Sequence, residues 1–162
     1  MLYNNNIFPK YFIALRVMNK KGDMMAVFRK TFGLKTDPGA IFEISGEVAD
    51  IVNESGMKSG IACVFVPGST GAVTTIEYED GVLHDLDDAL DRLLPKDIDY
   101  KHNSRWGDGN GHSHVRASLL GPSLTIPFTN RKLELGTWQQ IVFLELDNKG
   151  RSRELIVQIV GE

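Results

Sequence analysis

Residues 114–146 read HVRASLLGPSLTIPFTNRKLELGTWQQIVFLEL. Short apolar runs rich in Val, Ile, Leu and Phe alternate here with the turn-forming groups LGPS and FTNRK. That spacing predicts consecutive strands joined by hairpin-sized connections. The segments HVRASLL, SLTIPF, KLEL and WQQIVFLEL read as strands, and ELIVQIV at 154–160 extends the series past the turn DNKGRS. A second half patterned in this way calls for a sheet-dominated fold with antiparallel pairing.

Helices enter upstream. In VLHDLDDALDRLL (82–94), Val82, Leu83, Leu86, Ala89, Leu90, Leu93 and Leu94 fall in one stripe, the aspartates occupy the remaining surface, and Pro95 closes the helix. A shorter helix begins near Ser45, a candidate N-cap, with Val48, Ile51 and Val52 at helical spacing and Gly56 at its end. GIACVFV (60–66) suits a central strand, and AVTTIEY (72–78) is expected beside it across the loop PGSTG. MMAVFRKTFGL (24–34) and AIFEI (40–44) add strands before the first helix. The sum is an α+β class with mostly antiparallel, sandwich-like sheets and two main helices.

Regular patterning starts only at Met24, so residues 1–23 are read as an N-terminal extension outside the fold and 24–162 as one domain. The extension lacks a small-residue cleavage pattern and makes a poor signal peptide. The net charge of −3 is spread along the chain without a lysine or arginine cluster, which argues against nucleic acid as partner. No apolar run approaches the roughly 20 residues that span a bilayer, so no membrane role is expected. The single cysteine, Cys63, cannot form an internal disulfide and points to a reducing, cytoplasmic setting.

The chemistry concentrates in GDGNGHSH (107–114). If the following strand has begun there, His112 and His114 share one side of it, and His102 can fold back as a third nitrogen. Three imidazoles with one open position make a catalytic zinc arrangement, although imidazole also suits nickel, copper and iron. A calcium-hand reading of DGNG fails, because the twelfth position from Asp108 is Leu119 where a glutamate is required. PGSTG lacks the lysine of a P-loop; it is either a plain turn or an oxyanion loop using Ser69 and Thr70. Glu77 and Glu79 are each candidates for an acid or base, Arg116 for a phosphate partner, and Gln139 for an amide contact to ligand.

The stretches VFVPGSTGAVTTIEYED, DGNGHSHVRASLLGPSLTIPF, LELGTWQQI and VQIVGE resemble the YjbQ family, the secondary thiamine-phosphate synthases, over residues Met25 to Glu162. The resemblance implies an α+β fold assembled as a homotrimer with a metal-binding histidine cluster near the subunit boundary. It also implies joining hydroxymethylpyrimidine diphosphate to thiazole phosphate, giving thiamine phosphate and pyrophosphate, as a weak or secondary activity. It carries metal-ligand roles to His102 and His114, and site roles to Glu77 and Gln139. Gly68 stands where the family has a histidine, so His112 is expected to supply the missing nitrogen. Metal and Arg116 would then stabilise the departing diphosphate. The alternatives are a metal-dependent hydrolase of another phosphorylated metabolite and a trimeric metal- or ligand-binding protein without turnover.

Overall fold

A computed structural model describes residues 13–18 and 24–162. In chain order the elements are β1 (Ile13–Met18), β2 (Met24–Lys35), β3 (Ile41–Glu43), α1 (Ser45–Ser55), β4 (Ser59–Phe65) and β5 (Gly71–Ile76), then α2 (Asp80–Leu93), α3 (Lys101–Trp106) and α4 (Gly111–Leu120). β6 (Ser123–Thr129), β7 (Lys132–Leu133), β8 (Gln140–Glu145) and β9 (Ser152–Gly161) complete the chain. One sheet has six strands in the order β1-β2-β9-β4-β6-β7 and the other has three in the order β3-β8-β5, with every pairing antiparallel. The α+β class and the antiparallel sheets read from the pattern are those of the folded chain.

The core lies between the two sheets. Phe28 and Phe32 of β2, Val64 of β4, Val157 and Ile159 of β9 and Phe128 of β6 meet Ile141 and Phe143 of β8, and Val48, Ile51 and Val52 of α1 belong to the same cluster. β8 is buried along both faces, because Val142 and Leu144 form a second, smaller core with Ala72, flanked by Leu86 of α2 and Leu120 of α4. A strand covered on both sides reads as a continuous apolar run rather than an alternating one, which explains IVFLEL. Gly71, paired with Glu145, lies so near Phe143 that an added Cβ would sit 2.9 Å from the ring.

Four local expectations need correction. HVRASLL is helical, inside α4, because its buried positions 112, 113, 116 and 117 follow helical spacing but are mostly polar, so an apolar periodicity cannot display them. β4 and β5 are not neighbours, since the loop at 66–70 carries the chain from the large sheet to the small one. KLEL contributes only the pair Lys132–Leu133 to a sheet. Ser45 does not cap α1; it lies in the first turn, and its hydroxyl accepts from the Ile141 N–H at 2.8 Å. Among the described residues, two further helices, α3 and α4, stand beside the two main ones expected and come from the segment read as irregular and strand. Gly56 does end α1, in the left-handed conformation at φ 72°.

Of the stretch 1–23, Ile13–Met18 pairs with β2 at the edge of the large sheet, from Ile13 opposite Arg29 to Met18 opposite Met24. Residues 1–12 and 19–23 lie outside the described residues.

Phe143 fills the space between the sheets and is fully buried. Phe143→Ala is expected to destabilise the chain by about 3–5 kcal/mol, read as a lower midpoint in urea unfolding.

Candidate active site

The end of the sandwich where β8 leaves the small sheet and β9 enters the large one holds a buried ionic network. Glu145, whose side chain is 0% exposed, accepts both arms of Arg153, from Nε at 2.7 Å and from Nη2 at 2.5 Å. It also accepts from Thr36 Oγ1 at 2.7 Å and from the Asp147 N–H at 3.0 Å. Asp147 accepts from Arg151 Nε at 2.8 Å and from Thr70 Oγ1 at 3.1 Å, while Arg153 Nη2 donates to that same Thr70 hydroxyl at 2.8 Å. Burial alone would raise the Asp147 pKa, but the Arg151 and Thr70 bonds outweigh it and hold the carboxyl below its ordinary value. Glu145 sits behind the arginines, and both arginines line a cleft of about 480 Å³ with Asp147, Gly68, Ser69, Asn110 and His114.

Helices α3 and α4 deliver the histidines. Gly107 ends α3 at φ 68°, and Asn103 Oδ1 accepts from the Gly111 N–H at 2.8 Å. A Cβ at Gly111 would lie 2.4 Å from Tyr100 Cβ, so only glycine permits the two helices to meet so closely. The His102 and His114 rings consequently stand 4.4 Å apart between centroids, with His102 Nε2 3.5 Å from Asp108 Oδ2. With its amide nitrogen turned toward these acceptors, Asn110 donates to both Asp108 oxygens at 3.0 and 3.1 Å and to His102 Nε2 at 3.3 Å.

His112 belongs elsewhere. In a helix, residues two apart project about 200° around the axis, so α4 sends His112 and His114 to different sides where a strand would have aligned them. His112 lines a separate cavity beneath α2 together with Arg116. The Arg116 guanidinium is already engaged: Nη2 lies 2.6 Å from Asp91 Oδ1 and 2.6 Å from the Leu94 carbonyl, and Nε donates to that carbonyl at 3.1 Å. It binds the C-terminal end of α2 rather than facing the cleft with His114. Among the described residues, no three His, Cys, Asp or Glu side chains converge on one point able to hold a metal ion. The three-imidazole set does not fit a metal within a single chain.

Glu77 and Gln139 lie at the other end of the small sheet. Its register runs from Gly71 opposite Glu145 to Ile76 opposite Gln140. At about 3.4 Å per residue those ends are roughly 17 Å apart. Gln139 closes its own turn by accepting from the Gly136 N–H at 2.9 Å, and its amide nitrogen reaches Thr75 Oγ1 at 3.5 Å. Glu79 is the N-cap of α2, accepting from the Gly81 and Val82 N–H groups, which hold its pKa below the ordinary value. The expected residues thus divide into three groups: Ser69, Thr70 and His114 at the cleft, with His102 behind them against His114; His112 and Arg116 at the cavity; Glu77 and Gln139 at the far end.

Glu145, Asp147, Arg151, Arg153 and Asn110 are the residues that sequence reading passes over. A signal exists in LELDNKGRSR, where acids two apart and arginines two apart flank a turn between otherwise apolar strands. Such charges are usually solvated; here the crossing between sheets buries Glu145 and Asp147 and most of Arg153, while Arg151 stays exposed.

The comparisons with known proteins agree with this architecture. A family model described as "UPF0047 protein YjbQ-like" matches residues 30–162. A UPF0047 protein of Methanothermobacter thermautotrophicus is 38% identical over 144 residues, covering 88% of this chain and 99% of its own. UPF0047 protein YugU of Bacillus subtilis is 32% identical, covering 82% and 98%. Among solved structures, a YbjQ-like protein of unknown function from Sulfolobus solfataricus superposes with a TM-score of 0.81 at 34% identity, covering 85% of this chain and 99% of its own. A Clostridium acetobutylicum member of the family superposes at 0.73 with 40% identity, covering 80% and 98%.

Two outcomes follow from the buried charges. Glu145→Ala strands the Arg153 guanidinium without its carboxylate and is expected to cost about 3–5 kcal/mol in urea unfolding. Burial first, then the nearby Arg116 and Lys96 charges, push the His112 pKa below its ordinary 6.5. The unfolded chain therefore takes up this proton at higher pH than the folded one. Stability from the neutral ring is complete above pH 6.5 and is lost as pH falls from there through the folded value. Urea midpoints at about pH 7.5 and about pH 5 should show a smaller drop in His112→Gln than in the parent chain.

Proposed function

This chain belongs to the YjbQ-like UPF0047 family, and from that premise we propose that its cleft handles a small phosphorylated metabolite. The observation that carries this reading is the convergence of Arg151, Arg153, Ser69, Asn110 and His114 on one concave surface, which Asp147 also lines, with Glu145 buried behind it. Arginine N–H groups held in place by carboxylates are oriented before a phosphate arrives, so little reorganisation opposes binding. Ser69, exposed at the tip of the loop, offers a hydroxyl beside them. Thr70 is committed to the network and acts as a positioning residue.

The finer reading is the coupling of hydroxymethylpyrimidine diphosphate with thiazole phosphate. There the thiazole ring nitrogen bonds to the pyrimidine methylene as the methylene's bond to the diphosphate breaks and pyrophosphate leaves; the outward N–H groups of Arg151 and Arg153 meet the leaving group, since Arg116 faces α2. His114 is the group at the cleft able to give a proton to the departing diphosphate. A divalent metal, zinc foremost, would rest on His102 and His114, the two imidazoles that lie together. None of the steps above needs it. Glu77 and Gln139 reach such a cleft only from a neighbouring copy, which is the use this reading gives to a homotrimer. Cytoplasmic residence belongs to the same proposal; among the described residues, no helix is long and apolar enough to cross a membrane.

The purified protein, incubated with both precursors, is expected to form thiamine phosphate, and His114→Ala to slow product formation by about a hundredfold or more. Calorimetric titration with pyrophosphate tests the cleft separately. Pyrophosphate binding without product overturns the coupling and leaves phosphate recognition; release of phosphate from other esters points to the hydrolase. Absence of pyrophosphate binding overturns the whole reading. A chelator, with metal analysis of His102→Ala, decides the metal.

A further inference from the structure

The cavity beneath α2 measures about 730 Å³ and shares only Asp147 with the lining of the cleft. Its floor is apolar, made by Leu83, Leu86 and Leu90 of α2, Ile41 of β3 and Leu144 of β8. The α2 stripe is unusual for so strong an amphipathic pattern, in that only Leu90 is fully buried while Leu83 and Leu86 stay half-exposed over the cavity.

The charged groups around this space are already matched. Arg116 is held by Asp91, Lys96 lies 3.2 Å from Asp91 and 3.9 Å from Asp87, and His84 lies 3.6 Å from Asp88. Glu145 and Asp147 are bound by Arg153 and Arg151. One polar atom is left over. His112 is only 6% exposed, and its Nδ1 is buried without a hydrogen-bond partner among the described residues, although its ring borders the cavity. A buried imidazole nitrogen that has given up water without gaining a partner is costly unless something else completes it.

We propose that this cavity is a second binding site, for an uncharged heteroaromatic small molecule that lays its ring on the leucines and bonds His112 Nδ1 through one ring atom. A charged ligand fits poorly, because no wall charge is free to balance it. A flat ring with a single polar atom matches both the apolar floor and the single vacant bond. The Ser113 hydroxyl, 3.3 Å from His112 Nε2, decides the polarity. If it donates to Nε2, then Nδ1 carries the proton and takes an acceptor ring nitrogen; if it accepts, Nδ1 takes a ring N–H. The site does not depend on the phosphate reading, since His112, the leucine floor and the test are separate from that cleft.

Quinoline and indole, both uncharged at slightly alkaline pH, serve as acceptor and donor probes. In a two-dimensional amide NMR titration of the full chain, one of them is expected to give saturable shifts confined to residues 83–90 and 111–117. His112→Leu should bind that probe about tenfold more weakly, and His112→Gln, which keeps a hydrogen-bonding group, should recover part of the loss. The ring nitrogen resonances of His112 in the parent chain give a second readout, with Nδ1 moving on binding. Shifts from neither probe, an unmoved Nδ1 resonance, or equal affinity in a folded His112→Leu would each overturn the proposal.

Discussion

The bidentate contact between Glu145 and Arg153 fastens the small sheet to the large one where the chain passes from β8 to β9. Dispersion and apolar burial hold two sheets face to face but do not fix how one slides over the other. A planar guanidinium docked on a buried carboxylate does, because both hydrogen bonds require a single relative placement. Thr36 adds the end of β2 to the same point, its hydroxyl bonding Glu145 and accepting from the Arg151 N–H at 2.9 Å. Thr70 brings in the crossing loop from β4. Three segments distant in sequence, around 36, 70 and 145–153, are located by one ionic knot.

That knot also sets the shape of the cleft. Ser69 and Gly68 sit on a loop whose far end is tied through Thr70, and Arg153 lies 3.2 Å from where a Gly68 Cβ would be. At φ +144° this position favours glycine in any case, so a larger side chain there would disturb both the loop and the arginine. On the opposite wall, α3 and α4 are joined through Gly111 and Asn103, which brings the His102 and His114 rings together. The site is thus assembled by packing and hydrogen bonds that belong to the fold itself.

How far the sequence discloses this varies with the kind of signal. SLTIPF, ELIVQIV and VLHDLDDALDRLL are legible because their apolar positions recur at the period of the element, and IVFLEL because it is a nearly continuous apolar run. α4 is illegible by the same rule, since what it buries is His112, Ser113, Arg116 and the small Gly111 and Ala117. A strand there would put His112 on the same side as His114, whereas the helix sends His112 to the cavity beneath α2 and His114 to the cleft. The family resemblance draws attention to His102 and His114, whose rings lie 4.4 Å apart between centroids. The arginine–carboxylate network stays hidden because pairing across two sheets depends on topology, and adjacent charges near a turn look the same whether solvated or buried.

The matched arrangement of arginines and acids has an electrostatic consequence. Each cation at the cleft has a carboxylate within hydrogen-bond distance behind it, so beyond one Debye length, about 8 Å at physiological salt, their fields largely cancel. An anion approaching from bulk solvent meets little attraction until it reaches the mouth and touches the outward N–H groups. Association at this surface would then be governed by shape and short-range fit, with rates that hardly respond to ionic strength, in contrast to enzymes that draw their substrates in along an unbalanced field.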